Sequence, residues 1–229
     1  MRAFPVPGRP LPLLALAVVL GGVFTLWPRL DIGVTAAAYD GDGFPAERSE
    51  WLQTLRHGLW NLTLLLPLAA LAGLAVARWH RLFGLGAGLW GGVVAVYLLG
   101  PGLLVNVLLK EYWGRPRPAD TTLFGGAEAF VAALVPGGAC VSNCSFVSGE
   151  ASGAAAFAIC MAAILRARGR ATALTDGVLV ALVALSAGLR VAMGRHFVSD
   201  VVLAVLFVLL VAHLVSWAIE RLGGGRPQP

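Results

Sequence analysis

Charge is what this chain has least of: Asp, Glu, Lys and Arg make up 13% of its 229 residues, while 58% are hydrophobic. Mean hydropathy is +0.80. A soluble domain of this size cannot hide so much apolar surface in one core and still present a wetted exterior. No internal repeat or low-complexity tract breaks the sequence, so residues 1–229 read most economically as one domain. No His/Asp/Glu cluster has metal-ligand spacing, so neither a metal nor another cofactor is expected. The net charge of +5 lacks interleaved aromatics and does not point to nucleic acid. Cysteine is sparse: Cys140 and Cys144 lie in a polar stretch and can be bridged or free, and Cys160 lies in an apolar run.

Long apolar runs fill the space that charge leaves. Crossing a hydrocarbon core takes about 20 apolar residues as helix. Spans are predicted at 11–27, 59–78, 85–108, 149–166, 172–193 and 199–218, giving an all-α, polytopic membrane bundle of about six helices. Continuous apolarity excludes barrel strands, which alternate. Gly100-Pro101-Gly102 predicts a kink or break in the third span. The 28–57 connection, with Asp31, Asp40, Asp42, Glu47 and Glu50, reads as a solvated loop, and the terminal GGGRPQP as a frayed tail. The first span is expected to be an uncleaved anchor, because the one Ala-rich stretch, Ala36 to Ala38, lies well past the run.

With six spans, both termini share a side. That side collects nine bases, Arg2, Arg9, Arg78, Arg81, Arg166, Arg168, Arg170, Arg221 and Arg226, against eight on the other. Five of those eight sit in three short polar segments, and setting them aside leaves nine against three. The termini are therefore expected to be cytoplasmic, with a cationic cluster held on the outer face.

The three segments are Lys110 to Pro118, Ser145 to Glu150, and Arg190 to Asp200. One crossing out and one back separate the second from the third, so all three end on the outer side. Lys110, Arg117 and Arg190 supply cationic donors suited to phosphate oxygens. Ser148 and Gly149 precede a helix, where free amides and the dipole favour an anion. His196 and Asp200 stand four apart, so on a helix the carboxylate can reach the imidazole and hold it as a nucleophile.

At these residues the chain resembles the type 2 phosphatidic acid phosphatase family, the membrane branch of the lipid phosphatase and vanadium haloperoxidase superfamily. Lys110 and Arg117-Pro118 match its first motif. Arg190, His196 and Asp200 match the third, with Leu189 where the family has Ser. Val147-Ser148-Gly149-Glu150 stands in place of Pro-Ser-Gly-His. The resemblance covers about residues 58–218. It implies a phosphohistidine at His196 oriented by Asp200, and a phosphate cradled by Lys110, Arg117, Ser148, Gly149 and Arg190. Glu150, in the place of the family's proton-donating His, has three readings: a general acid held protonated, an ion-pair partner of Arg115 or Arg195, or the mark of an inactive site. Arg115 and Arg195 are carried as auxiliary phosphate contacts.

The expected activity is metal-independent hydrolysis of a lipid phosphate. Phosphatidic acid, phosphatidylglycerol phosphate, undecaprenyl diphosphate and lipid A are the candidate substrates. The expected place is a bacterial inner membrane, with the site facing the periplasm and the bilayer as its partner. The alternatives are a lipid phosphotransferase and a non-catalytic lipid-phosphate carrier.

Overall fold

Where an apolar run meets a side chain that can cap it, a helix starts. Ser49 Oγ accepts the Leu52 amide at 3.4 Å and opens α4 (Glu50–Val76). Ser148 does the same for α6 (Gly149–Ala167), and a Thr172/Thr175 capping box opens α7 (Ala173–Ala192). These belong to a computed structural model that describes residues 4–6, 9–77 and 79–223. The bases Arg2, Arg78 and Arg226, and the tail 224–229 read as frayed, lie outside the described residues.

The other helices among the described residues, short 3-10 turns aside, are α1 (Pro10–Leu26), α2 (Arg29–Ala36), α3 (Pro45–Arg48), α5 (Ala87–Tyr112) and α8 (Val198–Gly223). The described residues contain no β-strand, only an isolated Thr121–Glu128 bridge. Five helices, α4 to α8, are each long and apolar enough to cross a bilayer. The α1–α2 pair, bent by 79°, makes a sixth if counted as one span. Exposed Leu65, Leu68 and Leu71 on α4, Leu98 on α5, and Val178 and Val180 on α7 form the apolar exterior that lipid requires.

Two expectations are corrected. α5 is not broken at Gly100-Pro101-Gly102: over Leu98–Leu109 it widens to π geometry and continues. The wider turn makes room for the proline ring, and the Pro101 carbonyl accepts Asn106 Nδ2 at 2.7 Å. Nor is 28–57 simply a solvated loop. It holds α2, α3 and the first turns of α4, and its Asp31 is fully buried.

The centre of the bundle is α6, whose Ala/Gly/Ser-rich sequence lets α4, α5, α7 and α8 close around it. A Cβ on Gly153, for example, would stand 3.2 Å from the Trp60 ring of α4. At one end of the bundle buried Phe4 lies against Gly92 of α5, and its carbonyl accepts Ser216 Oγ of α8 at 2.7 Å. The described N-terminal segment and the end of α8 thus share that end. The three polar segments occupy the opposite one.

Candidate active site

His196 sits in the turn between α7 and α8, 2% exposed. That turn is shaped by Gly194, whose φ of +63° is open to glycine, and whose absent side chain leaves room for Phe44. The His196 amide, with that of Arg195, donates to the Arg190 carbonyl. On the ring, Nδ1 lies 2.8 Å from the Ser145 carbonyl oxygen. A carbonyl can only accept, so Nδ1 carries the hydrogen and Nε2 keeps its lone pair. Burial pushes the imidazole down to about 4, working against Asp200, while the charges of Arg190 and Lys110 push the same way as burial.

Asp200 does not hold the ring directly, as the i, i+4 spacing had suggested: its Oδ2 is 3.8 Å from Nδ1. That oxygen accepts Ser145 Oγ at 2.5 Å and the Phe197 amide at 2.9 Å, while Oδ1 takes Arg115 Nη1 at 2.5 Å. Asp200 therefore fixes Ser145, and Ser145 fixes the imidazole.

Arg115 is fully buried and committed. Besides Asp200 it binds Asp31 of α2 at 2.9 Å, Ser199 Oγ at 2.8 Å and the Val131 carbonyl at 2.8 Å. Its guanidinium also lies 4.3 Å from the centre of the Phe197 ring. The expected role as an auxiliary phosphate contact is not what this geometry offers; Arg115 is a buried tie between α2, the outer loop and α8. Asp31 completes it, accepting the Ser199 amide at 2.8 Å and the Ser199 hydroxyl at 2.5 Å. Sequence reasoning assigned no role to Asp31 or Ser199. A lone Asp after Pro28 and Arg29 carries no signal of burial.

The cations stand over the start of α6. Lys110, the only lysine in the chain, closes α5. A Cβ on Gly149 would lie 3.6 Å from its Nζ, so the ammonium rests beside the α6 N-terminus. Ser148 Oγ caps the Ala151 amide at 3.3 Å. The amides of Gly149 and Glu150 have no carbonyl one turn back within the helix and stay available to an anion. Lys110 Nζ donates to Asn143 Oδ1, and Arg117 Nη2 to the Asn143 carbonyl, both at 2.8 Å. Burial, with the Arg195 charge behind it, holds Arg117 below its ordinary value.

Arg190 is 6% exposed, and its Nε lies 3.6 Å from Glu150 Oε1. The same carboxylate oxygen is 3.3 Å from Arg56 Nε of α4. Glu150 is thus an ion-pair partner, but of Arg56 and Arg190 rather than Arg115 or Arg195. Arg56 was missed because it lies before the resemblance begins, in a stretch read as loop. Arg195 is half-buried at the mouth, 4.0 Å from Glu47 of α3. Cys140 and Cys144 are bridged in the loop above, and Cys160 is free and buried in α6.

The model of the PAP2 superfamily matches residues 90–223, which hold α5 from its first turn, the outer loop and α6 to α8. Similar curated proteins are a lipid A 4'-phosphatase of Rhizobium leguminosarum, 47% identical over 114 residues (50% of this chain, 48% of that one), and a lipid A 4'-phosphatase of Francisella tularensis subsp. novicida, 37% identical over 134 residues (56% of each). The chain spans about half the length of the curated relatives it matches. Among solved structures, a transmembrane PAP2-type phosphatidylglycerolphosphate phosphatase from Bacillus subtilis superposes with a TM-score of 0.61 at 21% identity, covering 95% of this chain and 99% of that one, a likeness of fold. The family match takes in more than half of the chain, including every cation, imidazole and carboxylate that sequence reasoning assigned to the site, and the chain belongs to the PAP2 superfamily.

Proposed function

We propose that this protein is an integral-membrane lipid phosphatase that removes a phosphate monoester from a lipid A-type substrate through a phosphohistidine at His196. The observation that carries the reading is the held imidazole. Nδ1–H is spent on the Ser145 carbonyl, and burial keeps the ring neutral, so Nε2 has a free lone pair near the charges of Lys110 and Arg190. Nε2 attacks phosphorus, and the P–O bond to the lipid breaks with its electron pair on the leaving oxygen, which takes a proton from water at the open mouth of the site. Water then cleaves the P–N bond, releasing inorganic phosphate and restoring the imidazole. Lys110, Arg117, Arg190 and the Gly149 and Glu150 amides neutralise the phosphoryl oxygens in both steps. Glu150, bound to Arg56 and Arg190, serves to aim Arg190 at the phosphate.

The site lies at the ends of apolar helices, so a lipid arrives with its tail in the bilayer and its head already placed, which supplies part of the proximity advantage. Lipid A is favoured among membrane phosphates because the similar curated proteins are named lipid A 4'-phosphatases. The site is assigned to the periplasmic face and the termini to the cytoplasm.

Purified protein in detergent is expected to release inorganic phosphate from lipid A faster than from phosphatidic acid, phosphatidylglycerol phosphate or undecaprenyl diphosphate. His196→Ala is expected to release none. Equal release by His196→Ala would end the phosphohistidine mechanism, and preference for a glycerolipid would end the substrate assignment. Glu150→Gln is expected to weaken orthovanadate binding along with turnover. Lost turnover with vanadate binding intact would make Glu150 the proton donor instead.

A further inference from the structure

Two cations that face one phosphate repel each other while the site is empty, and here a neutral amide residue stands between them. Asn143 Oδ1 accepts Lys110 Nζ and the Asn143 carbonyl accepts Arg117 Nη2, each at 2.8 Å. The Asn143 amide in turn donates to Glu111 Oε1 at 3.3 Å. Asn143 is one of two non-glycine residues with positive φ among those described, at +50°, a conformation Asn tolerates better than most side chains. The loop that carries it is short and closed: Cys140 and Cys144 are joined by a disulfide on either side of it. The same strand of loop is laid along the first polar segment, with the Gly137 amide on the Trp113 carbonyl, the Cys144 amide on the Lys110 carbonyl and the Ser145 amide on the Arg115 carbonyl, at 2.7, 3.0 and 2.8 Å.

We propose that Asn143, clipped in place by the Cys140–Cys144 disulfide, is a positioning residue that holds Lys110 and Arg117 side by side for the substrate phosphate. An ammonium has three N–H donors and a guanidinium five, and Asn143 engages one of each. The donors that remain face an incoming phosphate, already ordered, so less side-chain freedom is lost when the anion binds. An acidic residue at 143 could hold the cations too, but its charge would oppose a phosphate dianion; an amide holds them without that repulsion. The disulfide matters because it fixes both oxygens of Asn143 from a loop that would otherwise be free to leave the cations. Two residues further on, Ser145 fixes the His196 ring, so the clip also joins the cation pair to the nucleophile through one short stretch of chain.

This inference rests on Lys110 and Arg117 being phosphate-binding cations, and its test reads phosphate affinity apart from lipid turnover. Asn143→Gly keeps the backbone conformation and the carbonyl on Arg117 but removes Oδ1 from Lys110. Binding of orthovanadate to purified protein in detergent, measured calorimetrically, is expected to weaken about tenfold in Asn143→Gly, the loss of one charge-assisted contact. The paired variant Cys140→Ser/Cys144→Ser is expected to weaken it further. In Asn143→Gly, which leaves Ser145 and the disulfide in place, KM for a lipid phosphate is expected to rise by more than kcat falls, whereas the paired variant, which also loosens Ser145, is expected to lower kcat as well. Should the paired variant fail to fold, dithiothreitol treatment of folded wild type takes its place. Vanadate affinity unchanged in Asn143→Gly and in the unclipped protein would overturn the proposal. Tighter binding would also overturn it, since Asn143 would then be an obstruction. Absence of vanadate binding by the wild type would sink the phosphate-site reading itself. Vanadate binding by the wild type without lipid turnover would sink only the substrate.

Discussion

At the scale of single residues, the partner chosen for His196 decides its charge. A neutral carbonyl fixes the tautomer of an imidazole without stabilising an imidazolium as a directly bonded carboxylate would. Asp200 has its oxygens committed to Arg115, Ser145 and Phe197, and stands 3.8 Å from the ring, so burial dominates and the group falls to about 4 from its ordinary 6.5. A stability dependence follows with a definite sign. Between about 4 and 6.5 the unfolded chain binds a proton at this position and the folded chain does not, so folding strengthens as pH rises through that window and weakens as pH falls. The whole window is worth roughly 3 kcal/mol, at about 1.4 kcal/mol per pH unit. Thermal unfolding in detergent at pH 4.5 and 7 is expected to show the wild type losing more stability on acidification than His196→Gln, which has no such proton to gain. Parallel loss in the two proteins would mean that the ring is charged or exposed in the folded state.

At the scale of elements, α2 shows what a hydropathy reading can and cannot supply. Helices α4 to α8 were legible because about 20 apolar residues in a row have few other uses, and the caps at Ser148 and Thr172 lie close to the predicted starts. The polar faces of Lys110, Arg117, Arg190, His196 and Asp200 were legible because charge at the end of an apolar run stands out. What failed was every residue whose meaning depends on a partner far along the chain. Asp31 and Arg115 are 84 residues apart, and nothing local separates an Asp that is buried from one that is solvated. Arg56 was hidden for the same reason, since α4 begins before its apolar stretch does and carries on that lead-in a cation whose partner, Glu150, lies far along the chain. The bend after α1 brings α2 over the site so that Asp31 can bind Arg115 and Ser199, all three buried. Asp31→Ala takes one of two carboxylates from the Arg115 guanidinium, which keeps Asp200, and leaves the Ser199 amide and hydroxyl without their acceptor. An unsatisfied buried polar group typically costs about 1–3 kcal/mol. A fall of that size in unfolding free energy, with vanadate affinity reduced through Arg115 and Asp200, is the expected outcome. A variant as stable as wild type would show α2 to be an ornament on the bundle.

At the scale of the whole molecule, the two ends differ in kind. One end gathers Asp31, Glu47, Glu150 and Asp200 with Arg56, Arg115, Arg190 and Arg195, so these bases are committed to the site and its ion pairs. At the other, Arg166, Arg168 and Arg170 lie where α6 gives way to α7, near the end of the bundle where Phe4 meets Ser216, and of these only Arg166 has a carboxylate partner among the described residues, Asp176 at 2.7 Å. Bases in a short loop hold that loop in the cytoplasm, whereas bases held in ion pairs around a site are selected for chemistry. Separating the bases by their partners supports the orientation proposed above, with the site on the outer face. The chain is well suited to testing this, because of its three cysteines two are joined in a disulfide and one is buried. Single reporters can be added without removing any of them. In intact bacterial cells a membrane-impermeant maleimide is expected to label Asp42→Cys, beside the site, and to leave Arg168→Cys unlabelled until the cells are opened. The reverse pattern would put the phosphate site in the cytosol, and the lipid would then have to present its head group from the inner leaflet.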